Sequence, residues 1–364
     1  MRCSLAGISY ALLACSTTLA APGWSHRWKR SKGLNDYAKK AGLLYFGTAA
    51  DIPSSGENTD VAYQRILNNT HEFGQVTPAN AMKWDATEPQ QGDFTFGAAE
   101  QFLGFPTSNH QLVRCHNLVW HSQLPSWVTS GTWTNATLQA VLKSHITTLV
   151  QHFGTRCYAW DVLNEALNDN GTLRQDVWLN TIGPAYIPLV FQFAEEALKG
   201  VKGGRRIKFY YNDYGIENPG PKSAAALELV KGVKDRGIKI DGVGLQSHFI
   251  VGGTPSRETQ VQNLQSFTAA GFDVALTELD VRFSNVSDLS VGGGLEQQSQ
   301  DYENSVAACV DVKRCVGVTV WDFDDKYSWI PGTFPGQGFG DIWWANLTMK
   351  PAYDGVVAAL TERD

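Results

Sequence analysis

The sequence predicts an α/β protein folded as a single-domain (β/α)8 TIM barrel, and three observations lead there. Eight short apolar runs recur along the chain at roughly 30 to 50 residue intervals, with helical patterns between them. Several runs are near-continuous stretches of β-branched or aromatic residues, as parallel strands covered on both faces require. Polar residues cluster just where seven of the runs end, the face on which such barrels build their sites.

The runs cover residues 43–49, 75–82, 111–120, 158–165, 207–213, 243–248, 274–280 and 316–323. Between the third and fourth, 137–153 places Leu138, Val141, Leu142, His145, Leu149 and Val150 on one helical face. Residues 187–198 and 223–233 repeat that periodicity, the second ending near Gly237. Residues 22–40 read as a lead-in segment and first helix. A doubly wound open sheet is the runner-up, because strand count alone does not close a ring.

The chain has 364 residues, 43% of them apolar, enough for a large core in one barrel. Its formal charge of −6 lacks the basic surface that nucleic acid or an anionic membrane would favour. Residues 1–21 read as a signal peptide: Arg2, a short apolar stretch from Ile8 to Leu19, and small residues at Ala20 and Ala21. That stretch is too short to span a bilayer. The expected protein is secreted and extracellular, with no appended carbohydrate-binding module.

Of six cysteines, Cys3 and Cys15 leave with the signal. Cys309 and Cys315 are close in sequence and are expected to pair in an oxidising compartment. Cys115 and Cys157 are read as two buried free thiols, since sequence does not show Cα atoms within about 7 Å. Asn-x-Ser/Thr sequons stand at Asn68, Asn135, Asn170, Asn285 and Asn346 and fit export and glycosylation. The 12 tryptophans serve either a Trp-rich core or the stacking of apolar sugar faces.

Seven runs end in polar groups: Asn80 and Lys83; His116, Trp120, His121 and Gln123; Asn164 and Glu165; Asn212, Asp213 and Tyr214; Gln246 and His248; Glu278 and Asp280; Trp321. Glu165 and Glu278 close the fourth and seventh runs, on opposite sides of a closed barrel. Each alone is explained as a strand-end glutamate salt-bridged to a helix. Facing one another across a cleft, they suit glycoside hydrolysis, where one acid protonates the leaving oxygen and one carboxylate attacks the anomeric carbon. His248 and Asp280 are candidate supports for the attacking carboxylate. His116, His121 and His248 lack the spacing of a metal site, so no metal and no other cofactor is expected.

These residues carry a resemblance. The segments His116-Asn117-Leu118-Val119-Trp120-His121-Ser122-Gln123-Leu124-Pro125, Trp160 to Glu165, Gly244-Leu245-Gln246-Ser247-His248 and Val274 to Asp280 resemble the family 10 glycoside hydrolases, retaining endo-β-1,4-xylanases on a (β/α)8 barrel. The resemblance runs from Gly47-Thr48-Ala49 to Lys350-Pro351-Ala352-Tyr353, and Ser328-Trp329-Ile330-Pro331 looks like fungal members. It implies Glu165 as acid/base, Glu278 as nucleophile, and Asn164 bonding the 2-hydroxyl of the reacting sugar. It places Asn80, Lys83, His116, Trp120, Gln123 and Gln246 on the glycone side and Trp321 and Trp329 over the sugar. Tyr214 is implied on the leaving side, with Asn212 near the nucleophile. The implied partners are xylan and xylooligosaccharides, with no nucleic acid or membrane, and a monomer is expected.

Three positions depart from the family pattern: Ala79 where a glutamate is common, and Cys115 and Asp322 where glycine is common. A charged hydrogen bond lost at position 79 costs about 1.5–3 kcal/mol of glycone binding. Cys115 either crowds the site or pairs with Cys157. A non-catalytic lectin-like or inhibitor barrel is the alternative function, and it predicts the loss of one carboxylate.

Overall fold

Nine parallel strands build the sheet: β1 (Tyr45–Ala50), β2 (Gln75–Pro78), β3 (Leu112–Val119), β4 (Ala159–Asn164), β5 (Lys208–Asp213), β6 (Gly242–Leu245), β7 (His248–Ile250), β8 (Asp273–Arg282) and β9 (Cys315–Val320). They come from a computed structural model that describes residues 32–362. The signal-peptide reading of 1–21, with Cys3 and Cys15, lies outside those residues, as does most of the lead-in segment; the first helix is Leu34–Lys40. Neighbours run β6-β5-β4-β3-β2-β1-β9-β8, and β6 pairs with β8, which closes the ring. That closure excludes the open doubly wound sheet.

Two strand expectations need correction. The second strand stops at Pro78, whose ring nitrogen has no hydrogen to give the ladder. Asn80 and Lys83 therefore stand beyond it, before the short helix Trp84–Thr87. The sixth run is not one strand. It breaks after Leu245, Ser247 takes a left-handed φ of 66°, and His248 opens β7, which pairs with β8 at Asp280. This break turns Gln246 and His248 towards different carboxylates.

The helix Asn135–Phe153 shows how the shell forms. Thr134 caps it, accepting from the Thr137 amide at 3.2 Å while Thr137 Oγ1 accepts from the Thr134 amide at 3.0 Å. Leu138, Val141, Leu142, His145, Ile146, Leu149, Val150 and Phe153 are buried, the expected face extended by two residues. Phe153 meets Trp160 of β4 at 5.9 Å between ring centroids. Trp160 therefore faces outward, into the layer between strands and helices. Burial of each such side chain contributes about 1.5–3 kcal/mol. Inside the barrel, Arg114 of β3 pairs with Asp161 of β4 and lies over the Tyr210 ring.

Cys309 and Cys315 are joined as expected, tying the end of the helix Gly294–Asp311 to β9. Cys115 and Cys157 are also joined, with Cα atoms 5.6 Å apart, which corrects the free-thiol reading. The reason is register. Cys115 lies opposite Trp160, and the Tyr158 amide donates to the Val113 carbonyl at 2.8 Å, which brings Cys157 alongside β3.

Candidate active site

Glu165 follows the last residue of β4 with a left-handed φ of 55°. Such a conformation is uncommon for a side-chain-bearing residue and clusters at functional sites. Two contacts hold it: its amide donates to the Asn212 carbonyl at 2.9 Å, and Arg174 Nε donates to its carbonyl at 3.0 Å. Its carboxyl takes three partners. Trp120 Nε1 donates to Oε2 at 2.8 Å, His121 Nε2 lies 3.0 Å from the same oxygen, and Gln246 Nε2 donates to Oε1 at 2.9 Å. Burial by itself raises the pKa of this carboxyl, but those hydrogen bonds outweigh it and hold Glu165 at about 2.

Glu278 sits on β8, 5% exposed. Asn212 Nδ2 donates to its Oε1 at 2.7 Å, and His248 Nε2 lies 3.3 Å from Oε2. The other imidazole nitrogen of His248 is 2.7 Å from Asp280 Oδ2, which also accepts from Trp329 Nε1 at 2.9 Å. Burial lowers the His248 pKa, but the charge and hydrogen bonds of Asp280 and Glu278 reverse that and push it to about 10. His248 is thus a cation at neutral pH, donating from both nitrogens to the two carboxylates.

Amide side chains lie between the two glutamates. Asn212 Nδ2 also lies 2.9 Å from Asn164 Oδ1, and Gln246 Nε2 lies 3.3 Å from that same atom. The side chains of Glu278, Asn212, Asn164, Gln246 and Glu165 therefore stand in sequence across the barrel mouth, and with its amide turned Asn164 also accepts from Trp120 Nε1 at 3.2 Å. Thr277 Oγ1 donates to Asn212 Oδ1 at 2.7 Å, which leaves Asn212 Nδ2 to face Glu278, an acceptor.

On one flank, Lys83 Nζ donates to Gln123 Oε1 at 2.6 Å and Asn80 Oδ1 at 3.0 Å, and lies 4.9 Å from the centre of the Trp120 ring. Gln123 Nε2 donates to Asn80 at 3.0 Å. His116 Nδ1 lies 3.0 Å from Asp161, and its ring meets Trp321 edge to face. Trp321, Trp329, Ala49 and Ala79 form a separate apolar patch. Asp322, next to Trp321, also takes a left-handed φ, and burial together with the Glu57 and Asp51 charges raises its pKa well above the usual range. On the other flank, Tyr214 receives Arg174 Nη2 on its hydroxyl at 3.0 Å, and Lys222 Nζ lies 3.3 Å from its ring centre.

All of the site residues expected from sequence thus gather at one end of the barrel. The three histidines weighed as metal ligands instead divide among separate carboxylates: His116 on Asp161, His121 on Glu165, His248 on Asp280 and Glu278. Cys115 is committed to Cys157. Sequence reasoning named His121 at the end of the third run but did not assign it to Glu165, whose Oε2 its Nε2 meets at 3.0 Å. It left out Arg174, Lys222 and Asp161, which lie in a loop, a helix and mid-strand with no local motif.

The sequence profile described as Glycosyl hydrolase family 10 matches residues 33–359. Endo-1,4-β-xylanase D of Talaromyces funiculosus is 53% identical over 331 residues, 90% of this chain and 77% of that protein. Endo-1,4-β-xylanase A of Phanerodontia chrysosporium is 48% identical, covering 89% of this chain and 76% of its own length. Among solved structures, Penicillium canescens endo-1,4-β-xylanase XylE is 52% identical with a TM-score of 0.88, over 91% of this chain and 98% of its own. A family 10 xylanase from Bispora sp. MEY-1, solved with xylobiose, is 51% identical with a TM-score of 0.86, over 90% and 99% respectively. The same two-glutamate barrel mouth, the profile match and these relatives agree: the chain belongs to glycosyl hydrolase family 10.

Proposed function

We propose that the chain is a secreted, monomeric, retaining endo-1,4-β-xylanase that cuts internal bonds of plant cell-wall xylan, with Glu278 as nucleophile and Glu165 as acid/base. The observation that carries this reading is the row of amide side chains between the two carboxyls, with a cationic His248 behind one of them. The signal-peptide reading of 1–21 supports secretion. Among the described residues no helix is long and apolar enough to cross a membrane.

Glu278 attacks the anomeric carbon and forms a glycosyl-enzyme while Glu165 protonates the departing oxygen. Both side-chain partners of Glu278, Asn212 and His248, direct nitrogens at its carboxyl oxygens. Asn164 stands between the two glutamates, where it bonds the 2-hydroxyl of the reacting sugar. Glu165 is held ionised by its three partners. A bound glycan presents an ether oxygen, an acceptor, to this carboxyl and expels water. Both changes raise its proton affinity towards that of a working acid. Esterification then removes the Glu278 charge, which lowers the proton affinity of Glu165 and suits it to act as base on water in the second step.

Lys83, Asn80, Gln123, His116, Trp120 and Gln246 hold glycone hydroxyls, Trp321 and Trp329 cover the sugar, and Tyr214 meets the leaving side. Glu165→Ala tests the assignment. Turnover is expected to fall most on substrates with poor leaving groups, and azide to restore activity on activated aryl glycosides. Equal slowing of good and poor leaving groups, with no azide rescue, removes Glu165 from that role.

A further inference from the structure

Residues 166–174 fold back on themselves. The Arg174 amide donates to the Ala166 carbonyl at 2.8 Å, Leu167 bridges Leu173 in antiparallel fashion, and Gly171 turns the chain with a φ of 83°. This hairpin returns Arg174 to the residue just before it, Glu165. Arg174 Nε donates to the Glu165 carbonyl at 3.0 Å. Its Nη2 donates to the Leu167 carbonyl at 3.1 Å and to the Tyr214 hydroxyl at 3.0 Å. One guanidinium thus grips both the backbone that carries the acid/base and the ring assigned to the leaving side.

Both ends of this link are otherwise constrained. Glu165 has a left-handed φ of 55°, a conformation that persists only where its surroundings enforce it. Tyr214 rests on Lys222, whose Nζ lies 3.3 Å from the ring centre. Lys222 is buried and pairs with Asp213 Oδ1 at 3.1 Å, and the Tyr214 amide donates to that same oxygen at 2.9 Å. With Lys222 on its face and Arg174 on its hydroxyl, the ring is a fixed platform. A sugar that settles on it meets a part already joined to Glu165.

We infer that Arg174 is a positioning residue that couples a sugar bound on Tyr214 to the placement of Glu165 for proton transfer. Binding energy from a part of the substrate that does not react then holds the acid in its working position. Arginine suits the task because its rigid fork presents separate donors to separate acceptors. Lysine keeps the charge but replaces the fork with a single nitrogen. The inference rests on the xylanase reading and adds the residue through which the leaving side reaches the acid.

The test uses Arg174→Lys, Tyr214→Phe and the double variant on two substrates. One is a linear β-1,4-xylooligosaccharide, which places a sugar on the leaving side. The other is dinitrophenyl β-xylobioside, whose leaving group departs without a proton, so that its kcat/KM does not depend on the acid. Arg174→Lys is expected to lower kcat on the oligosaccharide about tenfold, with KM and the dinitrophenyl kcat/KM each within about twofold of the parent. Tyr214→Phe keeps the ring, removes the acceptor and is expected to lower the same kcat about threefold. The double variant should fall no further than Arg174→Lys, because both changes break one link. An equal fall on both substrates, a raised KM with kcat unchanged, or effects that multiply in the double variant overturns the inference. An unchanged oligosaccharide kcat in Tyr214→Phe overturns it too, whatever Arg174→Lys does to folding. A parent chain that cuts neither substrate overturns the xylanase reading instead.

Discussion

The side-chain amide of Asn212 donates to Oε1 of Glu278 across 2.7 Å. A hydrogen bond to a charged group contributes about 1.5–3 kcal/mol, so Asn212→Ala is expected to lower kcat about 10- to 100-fold. The fold should survive, because Thr277 loses only one partner. Steady-state kinetics on xylan checks this, and a kcat within twofold of the parent contradicts it.

His121 is expected to set the ionisation of Glu165. Its contact is the largest of those that lower this carboxyl from 4.5 to about 2. A depressed carboxyl adds stability that is present above its unfolded value and lost as pH falls from about 4.5 towards 2. In His121→Asn the midpoint should rise and the acid-side loss of stability should become shallower. Carbon NMR of labelled glutamate reads the midpoint, and an unmoved value contradicts the assignment.

The His248 pair works in the opposite direction. Its pKa is raised from 6.5 to about 10, so its contribution is fully present below 6.5 and disappears as pH climbs through 10. That contribution is of order a few kcal/mol. Melting temperature plotted against pH should therefore fall between pH 7 and 10 more steeply in the parent than in His248→Gln. Parallel curves would show that the imidazolium is not held by Asp280 and Glu278.

The Cys115–Cys157 bridge closes a separation of 42 residues. On the chain-entropy account it contributes about 4 kcal/mol. The double variant Cys115→Ala, Cys157→Ala should unfold at lower temperature yet keep kcat at 25 °C, because the adjacent His116 is held by its own contact with Asp161 at 3.0 Å. Differential scanning calorimetry with a parallel assay decides it.

The barrel and its reactive pair were legible because seven of the eight apolar runs end in polar residues. Glu165 and Glu278 stood out against Trp160–Asn164 and Val274–Thr277 for that reason. What sequence did not carry was register and backbone conformation. Cys157 meets Cys115 only through the alignment of β3 with β4. The left-handed turn at Ser247, which splits the sixth run, has no glycine to announce it. Arg174 reaches Glu165 from a loop nine residues downstream, a contact set by chain folding rather than by any motif.

The central claim is that one glutamate attacks the sugar and the other exchanges a proton, with both faces of the cleft used in turn. Proton NMR of the first products released from xylan, recorded before mutarotation, tests it most directly. The expected signal is the β-anomer, formed by two successive inversions. An α-anomer as the first product would mean direct attack by water, and would contradict the assignment of Glu278 as nucleophile.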